Sequence, residues 1–193
     1  MKQQAWTSLV AASALLWGTA QASPVIGFSG DFVPGNWTAT VGANGDPPVA
    51  DATSLSITSP RPNDNDASQT DFSITVGARA TISFDWLYAS SDLDGNAFYD
   101  PFGILSINAF TQLTDDDGGA SQGGTFSVVV GAGEVFGFRA LAIDGDYGTA
   151  TTRVTNFRVD FEGSEVPEPA PLLLIGAALA AIEATRRRQG RAT

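Results

Sequence analysis

The sequence predicts an all-β body folded as a jelly-roll-like sandwich of two sheets, flanked by an N-terminal signal peptide and a hydrophobic C-terminal helix. Short segments of the body alternate apolar and polar residues, which is the period of a half-buried strand. Clusters of Gly, Pro, Asn and Asp separate these segments at regular spacing, and the body contains no convincing helical pattern. Regularly spaced short strands favour a sandwich over parallel βαβ units.

About nine strands are expected in the body, residues 23–165. The strongest lies between Arg79 and Tyr88, where Ile82, Phe84 and Trp86 alternate with polar residues. Residues 113–124 are acidic and glycine-rich and are expected to form a turn. The predicted strands are Val25–Phe28, Trp37–Val41, Thr53–Thr58, Phe72–Val76, Arg79–Tyr88, Gly103–Phe110, Phe126–Val130, Val135–Ile143 and Thr151–Phe161.

The first 22 residues have the three parts of a secretory signal peptide. Lys2 supplies the positive start, and an apolar run extends from Leu9 to Leu16. The small residues Ala20 and Ala22 then flank Gln21 in a cleavage-site pattern. We therefore expect export through the Sec machinery and cleavage by signal peptidase after Ala22.

The charge of the body limits what it can bind. Residues 23–165 hold 16 Asp and 3 Glu against 5 Arg, a net charge of −14, and contain no Lys. Nucleic-acid binding needs a basic footprint, so no nucleic-acid partner is expected. The chain has no Cys and no His, which excludes disulfides, thiolate sites and a Ser-His-Asp triad.

Residues 166–193 combine three features in a fixed order. Prolines keep residues 166–170 extended. An apolar helix is then expected over about residues 170–185, with a length of about 24 Å against a hydrocarbon core of about 30 Å. The basic tail, residues 186–193, begins with Arg186, Arg187 and Arg188 and places the C-terminus in the cytoplasm. The body is therefore expected outside.

This order of features resembles the PEP-CTERM sorting signal of Gram-negative bacteria, with Val166, Pro167, Glu168 and Pro169 as the sorting motif. The resemblance implies processing near the motif by exosortase, a membrane protease-transpeptidase. It implies a precursor held transiently in the inner membrane and a product at the cell surface or in the exopolysaccharide matrix. The segments 84–88, 99–103 and 137–138 also resemble the sandwich body of many such proteins, which implies a fold and no defined activity.

Oxygen-rich loops between the strands are candidates for calcium, which prefers hard oxygen ligands. The best set is Asp92, Asp94, Asn96 and Asp100, although its spacing lacks the order and closing Glu of an EF-hand. Solvated turn aspartates are the simpler interpretation of the same residues.

Aromatic side chains are candidates for binding sugar rings. Tyr99 and Tyr147 lie in expected loops and are favoured, whereas Trp86 lies in a buried alternation and is expected in the core; Trp37 and Tyr88 are further candidates. No pair of carboxylates stands out for glycoside hydrolysis. We therefore expect a non-enzymatic structural or adhesive surface protein, with a calcium-dependent carbohydrate-binding module as the alternative and a glycoside hydrolase as a distant third.

Overall fold

A computed structural model of the chain describes residues 23–63, 66–93, 95–106, 109–144 and 148–162. The predicted signal peptide and the whole predicted sorting region, with its motif, helix and basic tail, lie outside the described residues. Within the described part the structure contains no α-helix, and two 3-10 turns cover Gly30–Phe32 and Pro34–Asn36. The strands are β1 Val25–Ile26, β2 Thr38–Thr40, β3 Val49–Ala50, β4 Ser54–Thr58, β5 Ser68–Thr75, β6 Ala80–Ser90, β7 Phe102–Ser106, β8 Ala109–Gln112, β9 Ser121–Val130, β10 Val135–Ala142 and β11 Ala150–Phe161.

The strands form two antiparallel sheets, as predicted. The first sheet has the order β3-β4-β11-β6-β9, and β1 also pairs with β11. The second sheet has the order β2-β5-β10-β7-β8. Successive strands from β4 to β7 alternate between the sheets, and so do β9, β10 and β11, so that chain neighbours face each other across the core. This connectivity is the jelly-roll pattern.

An aromatic cluster joins the sheets. Phe157 of β11 stacks on Phe28 at a centroid distance of 4.7 Å, and Trp37 stacks on Phe72 of β5 at 4.8 Å. Phe138 of β10 meets Phe84 of β6 edge-on at 5.0 Å. All six of these phenylalanine and tryptophan rings are buried, and the indole N–H of Trp37 donates to the carbonyl of Phe32 at 3.0 Å. Large buried rings in contact contribute much of the stability of a small sandwich.

A β-bulge in β11 places Phe157 in this cluster. Thr155 pairs with Asp85 and Arg158 pairs with Ser83, so two residues of β11 lie opposite Phe84 alone. Asn156, the first of the two, adopts a φ of 51°, a left-handed conformation that Asn tolerates better than most residues. Its side chain turns outward to Asp85, donating to Oδ2 at 2.7 Å, while Phe157 turns inward.

Three predictions about strand boundaries are wrong. The strand predicted over Phe72–Val76 begins earlier, at Ser68, as β5. The segment predicted as one strand, Gly103–Phe110, is two: β7 and β8 pair antiparallel, with Ser106 opposite Ala109. Apolar residues occur throughout the segment 103–110, so the sequence pattern does not reveal this division. The predicted turn over residues 113–124 ends early because β9 begins at Ser121.

The early start of β9 has a packing reason. A Cβ at Gly124 would lie 3.3 Å from Nε1 of Trp86, and one at Gly123 would lie 2.9 Å from the backbone oxygen of Trp86 and 3.2 Å from Cδ1 of Leu87. These glycines therefore accommodate two large side chains of the neighbouring strand, although in the sequence they resemble a turn.

No helix that could cross a membrane occurs among the residues described.

Replacing the central ring tests the role of the aromatic cluster. Phe157→Ala should lower the free energy of unfolding by about 3–5 kcal/mol, because it removes a fully buried ring between the sheets. Leu87→Ala is the control: Leu87 is 62% exposed, and its loss should change stability by about 0.5 kcal/mol or less. Urea denaturation of both variants measures the difference, and equal midpoints would refute a central role for Phe157.

Candidate functional site

The outer face of the second sheet carries a partly buried ion pair. Phe136 and Phe138 of β10 point into the core, so Arg139 points outward. Its Nε and Nη2 bind Oδ1 and Oδ2 of Asp71 on β5 at 2.7 and 2.8 Å. The side chains of Arg139 and Asp71 are 20% and 12% exposed. A bidentate pair of this kind holds a planar set of donors and acceptors in one orientation.

Polar and apolar groups surround this pair in two rows that cross the strands. In the first row the register places Asp71, Arg139, Gly103 and Gln112 side by side. The amide of Gln69 extends the polar network by donating to Oδ2 of Asp71 at 3.3 Å. The second row runs Thr38, Ser73, Gly137, Leu105 and Phe110.

The ring of Phe110 lies against the backbone at Gly103. A Cβ built at Gly103 would clash first with the backbone oxygen of Thr111 and would also lie 2.7 Å from Cε2 of Phe110, so neither the backbone of β8 nor this ring leaves room for a larger residue. Phe110 is half-buried in this position, over Gly103 of β7, and Gly103 is the residue that pairs with Arg139 of β10. A partly exposed aromatic ring next to oriented polar groups is a common component of ligand sites.

An open depression of about 650 Å³ lies at the other end of the second row. Its lining includes Thr38, Ser73, Thr75 and Val135, together with Asp31 and Asn36 from the 3-10 turns. The depression and Phe110 are thus four strand spacings apart, about 19 Å. We call the surface formed by Gln69, Asp71, Ser73, Leu105, Phe110 and Arg139 the Arg139 face. This face spans three strand spacings, from β5 to β8, or about 14 Å.

The predicted calcium residues come together in part, in the loop between β6 and β7. Asp92 and Asp100 are both buried, at 8% and 4% exposure. Burial raises the pKa of Asp100 to about 6, and the charges of Asp92 and Asp144 add to the increase. Asn96 is half-buried and accepts a hydrogen bond from the backbone N–H of Phe98 at 3.1 Å, while Asp94 lies outside the described residues.

Tyr88 lies within reach of the charges of Asp92 and Asp100, and its hydroxyl is fully buried. Burial raises the pKa of the Tyr88 phenol to about 12, and the charges of Asp100 and Asp92 contribute. Ser90 acts in the opposite direction and lowers the pKa of the Tyr88 phenol, although among the described residues the Tyr88 hydroxyl has no hydrogen-bond partner. Among the residues that the structure describes, no three acidic side chains are grouped closely enough to hold a metal ion. The calcium site thus stays a prediction.

The aromatic candidates are divided between surface and core. Tyr99 is half-buried and meets Phe98 edge-on at a centroid distance of 4.9 Å. Tyr147 lies outside the described residues. Trp37 and Tyr88, considered as possible sugar platforms, are core residues at 7% and 0% exposure. Trp86 packs against the core, as the alternation predicts.

Sequence reasoning missed Asp71, Arg139 and Phe110. Asp71 precedes the predicted strand Phe72–Val76, and Arg139 lies within the predicted strand Val135–Ile143, so the local pattern marks neither as a site residue. A weak signal was present, because Arg139 is one of only five arginines in a body without lysine. The pairing of strands β5 and β10, far apart in the chain, brings the two charges together.

No family model matches the chain, and no curated protein matches it. Among solved structures, it is similar to the N-terminal cellulose-binding domain of Cellulomonas fimi β-1,4-glucanase C, at 12% identity and a TM-score of 0.31, over 67% of this chain and 90% of that one. It is also similar to a cleaved adhesin domain of Lys-gingipain from Porphyromonas gingivalis, at 14% identity and a TM-score of 0.37, over 74% and 98% of the two chains. A family 35 carbohydrate binding module from Clostridium thermocellum gives 12% identity and a TM-score of 0.32, over 72% and 98%. At these values the ligands of those proteins do not transfer to this chain.

The buried carboxyl of Asp100 gives the fold a defined pH dependence. Its pKa is higher in the folded state than in the unfolded chain, so the folded state binds more protons between about pH 4 and 6. The free energy of unfolding should therefore fall as the pH rises through this window, by up to about 3 kcal/mol. Asp100→Asn should remove this contribution and stabilise the protein at pH 7.5. Urea denaturation of the unmodified protein and of the variant at pH 4.5, 6 and 7.5 measures the pH dependence and the stabilisation. A variant whose stability changes with pH as much as that of the unmodified protein would contradict the raised pKa of Asp100.

Proposed function

We propose that the protein is an exported, non-enzymatic component of the cell surface or extracellular matrix, and that its sandwich binds a neutral polysaccharide on the Arg139 face. The observation that carries this proposal is the partly buried Asp71–Arg139 pair, with the half-buried ring of Phe110 over Gly103, the residue that pairs with Arg139. The adhesive role expected from the sequence and this binding surface are compatible, because a matrix protein can adhere by holding the polymer around it.

The chemistry of the face matches that of a sugar chain. A pyranose ring presents hydroxyl groups at its rim and C–H groups on its faces. The hydroxyls can donate to Asp71 and accept from Arg139 and Gln69, whose donors are fixed by the ion pair. The C–H face can pack on Phe110, whose ring is already positioned by Gly103. Groups that are oriented before binding lose little entropy when a ligand arrives.

The charge of the body favours a neutral polymer over an acidic one. Asp71 neutralises Arg139, and Asp31 lies at the open depression. The body as a whole carries a net charge of −14, which repels an anionic chain at low ionic strength.

Export and sorting form the second part of the proposal. The signal peptide directs the chain through the Sec machinery, and the segment 166–193 holds the precursor in the inner membrane until exosortase processes it near Val166, Pro167, Glu168 and Pro169. Support comes from the order of prolines, apolar run and arginine cluster, which together resemble the PEP-CTERM signal. The mature protein is then at the surface of a Gram-negative cell or in its exopolysaccharide.

The described carboxylates favour binding over hydrolysis. Asp71 is committed to Arg139. The hydrogen bonds from Asn156 and Thr125 lower the pKa of Asp85, which makes it a poor general acid. Asp100 has a raised pKa but is 4% exposed, which leaves little of it for a substrate to touch. A glycosidase needs two carboxyl groups facing one cleft.

Binding by the Arg139 face can be tested with matched arginines. Arg139→Ala should weaken binding of the full-length protein to neutral polysaccharide by 10-fold or more, because it removes oriented donors and leaves Asp71 unpaired. Phe110→Ala should weaken it by a similar factor. Arg158→Ala is the control, since Arg158 forms the same kind of bidentate pair with Asp160 on the first sheet, at 2.7 Å. Affinity electrophoresis against neutral and acidic polysaccharides measures retardation.

Any of three results would refute the binding proposal: equal retardation of all variants, retardation by acidic polymers alone, or no retardation by any polysaccharide. The same gels run with calcium and with a chelator test the alternative function. Loss of binding in chelator would favour the calcium-dependent module predicted from Asp92, Asp94, Asn96 and Asp100. Release of reducing sugar during incubation would favour a hydrolase.

Sorting makes a separate prediction about the mature protein. Intact-mass measurement of the surface-extracted protein should give a chain that starts at Ser23 and lacks the residues after the sorting motif. Replacing Glu168 by Ala should leave the precursor in the inner membrane fraction. A mature chain that still ends at Thr193 would show that the C-terminal segment is a permanent anchor.

A further inference from the structure

Strand β9 is an unusually long and uncharged sheet edge. Its ten residues pair with β6 in one unbroken register, and among the described residues no strand pairs with its other side. The other edge strands, β2, β3 and β8, have three, two and four residues. Edge strands are usually protected by shortness, charge, proline or a bulge, and β9 has none of these. It is therefore suited to pair with another strand.

The register shows which backbone groups are free. The N–H of Ser90 donates to the carbonyl of Ala120 at 2.8 Å, so these residues form a hydrogen-bonded pair next to β9. Because such pairs alternate along an antiparallel ladder, the even-numbered residues of β9 bond to β6. The odd-numbered residues direct their N–H and C=O groups away from the sheet. They are Ser121, Gly123, Thr125, Ser127 and Val129.

These five residues are self-complementary about Thr125. In an antiparallel pair of two β9 strands related by a twofold axis, Thr125 lies opposite Thr125 of the second copy, and Ser121 lies opposite Val129. The outward-directed N–H and C=O groups at all five positions can then form hydrogen bonds with the second copy. On the inner side, Phe126 falls opposite Gly124, so the ring of one copy covers the glycine of the other.

We infer that β9 is a self-association edge through which two copies of the chain form one continuous sheet, centred on Thr125. Charge also favours this edge. The body carries −14, so most contacts between two copies bring like charges together, whereas β9 contains no charged residue. The Arg139 face lies on the other sheet and stays accessible in the dimer. The inference goes beyond the proposed binding function and does not depend on it.

The absence of cysteine from the chain allows a direct test. In full-length protein, Thr125→Cys should be joined efficiently into a dimer by a short thiol-specific cross-linker, because the two positions meet at the axis. Val129→Cys is the matched control on the same strand. In the proposed pairing the two copies of position 129 are about 27 Å apart, so cross-linking should be at least 10-fold slower.

Adding Ser127→Pro to the Thr125→Cys chain should suppress the cross-link. Ser127 directs its N–H away from β6, so proline there removes a bond to the second copy without removing one to β6. Urea denaturation confirms that each variant is folded, and a Ser127→Lys change replaces the proline variant if it unfolds. Equal cross-linking at positions 125 and 129 would mean nonspecific association. That result, or absence of cross-linking at position 125 in folded protein, would overturn the inference.

Discussion

The contact between the two sheets through the buried aromatic cluster is the constraint on which the rest of the structure depends. Phe157, Trp37 and Phe138 each contact several other rings, and together they connect both sheets with the segment that precedes β2. Without disulfides or, within the described residues, a group of acidic side chains suited to a metal ion, this packing is the main source of cohesion. The bulge at Asn156 follows from it, because Phe157 faces the core only if β11 shifts its register.

Glycines adapt the strands to large neighbours. Gly103 lies under the ring of Phe110, and Gly124 lies beside the indole of Trp86. A Cβ at Gly103 would clash with the backbone of β8 and with the ring of Phe110, and a Cβ at Gly124 would be in tight contact with the indole of Trp86. The position of Phe110 on the Arg139 face therefore follows from a glycine on the next strand as well as from the sequence of its own strand.

Acidic residues have different environments in different parts of the sandwich. Asp71 is balanced by Arg139, and Asp85 accepts hydrogen bonds from Thr125 and Asn156 at 2.7 Å. Asp100 is buried near Asp92 and Asp144, and these like charges add to the effect of burial on its pKa. The carboxylate whose ionised form is least favoured is thus Asp100, in the loop between β6 and β7. The carboxylate held most firmly in one orientation is Asp71, on the outer face of the second sheet. A ligand can use the latter without first breaking the fold.

The amino-acid sequence by itself determined the all-β class, most of the strands and the acidic character, because alternation and turn residues act over a few positions. It also gave the expectations about export and sorting, which concern residues outside the described structure. The division into β7 and β8, the early start of β9 and the Arg139 face were decided by tertiary structure. Asp71 and Arg139 are 68 residues apart in the chain, and only the pairing of β5 with β10 makes them neighbours. Local patterns carry no information about which distant strands pair, and for that reason the candidate site could not be found before the fold was known.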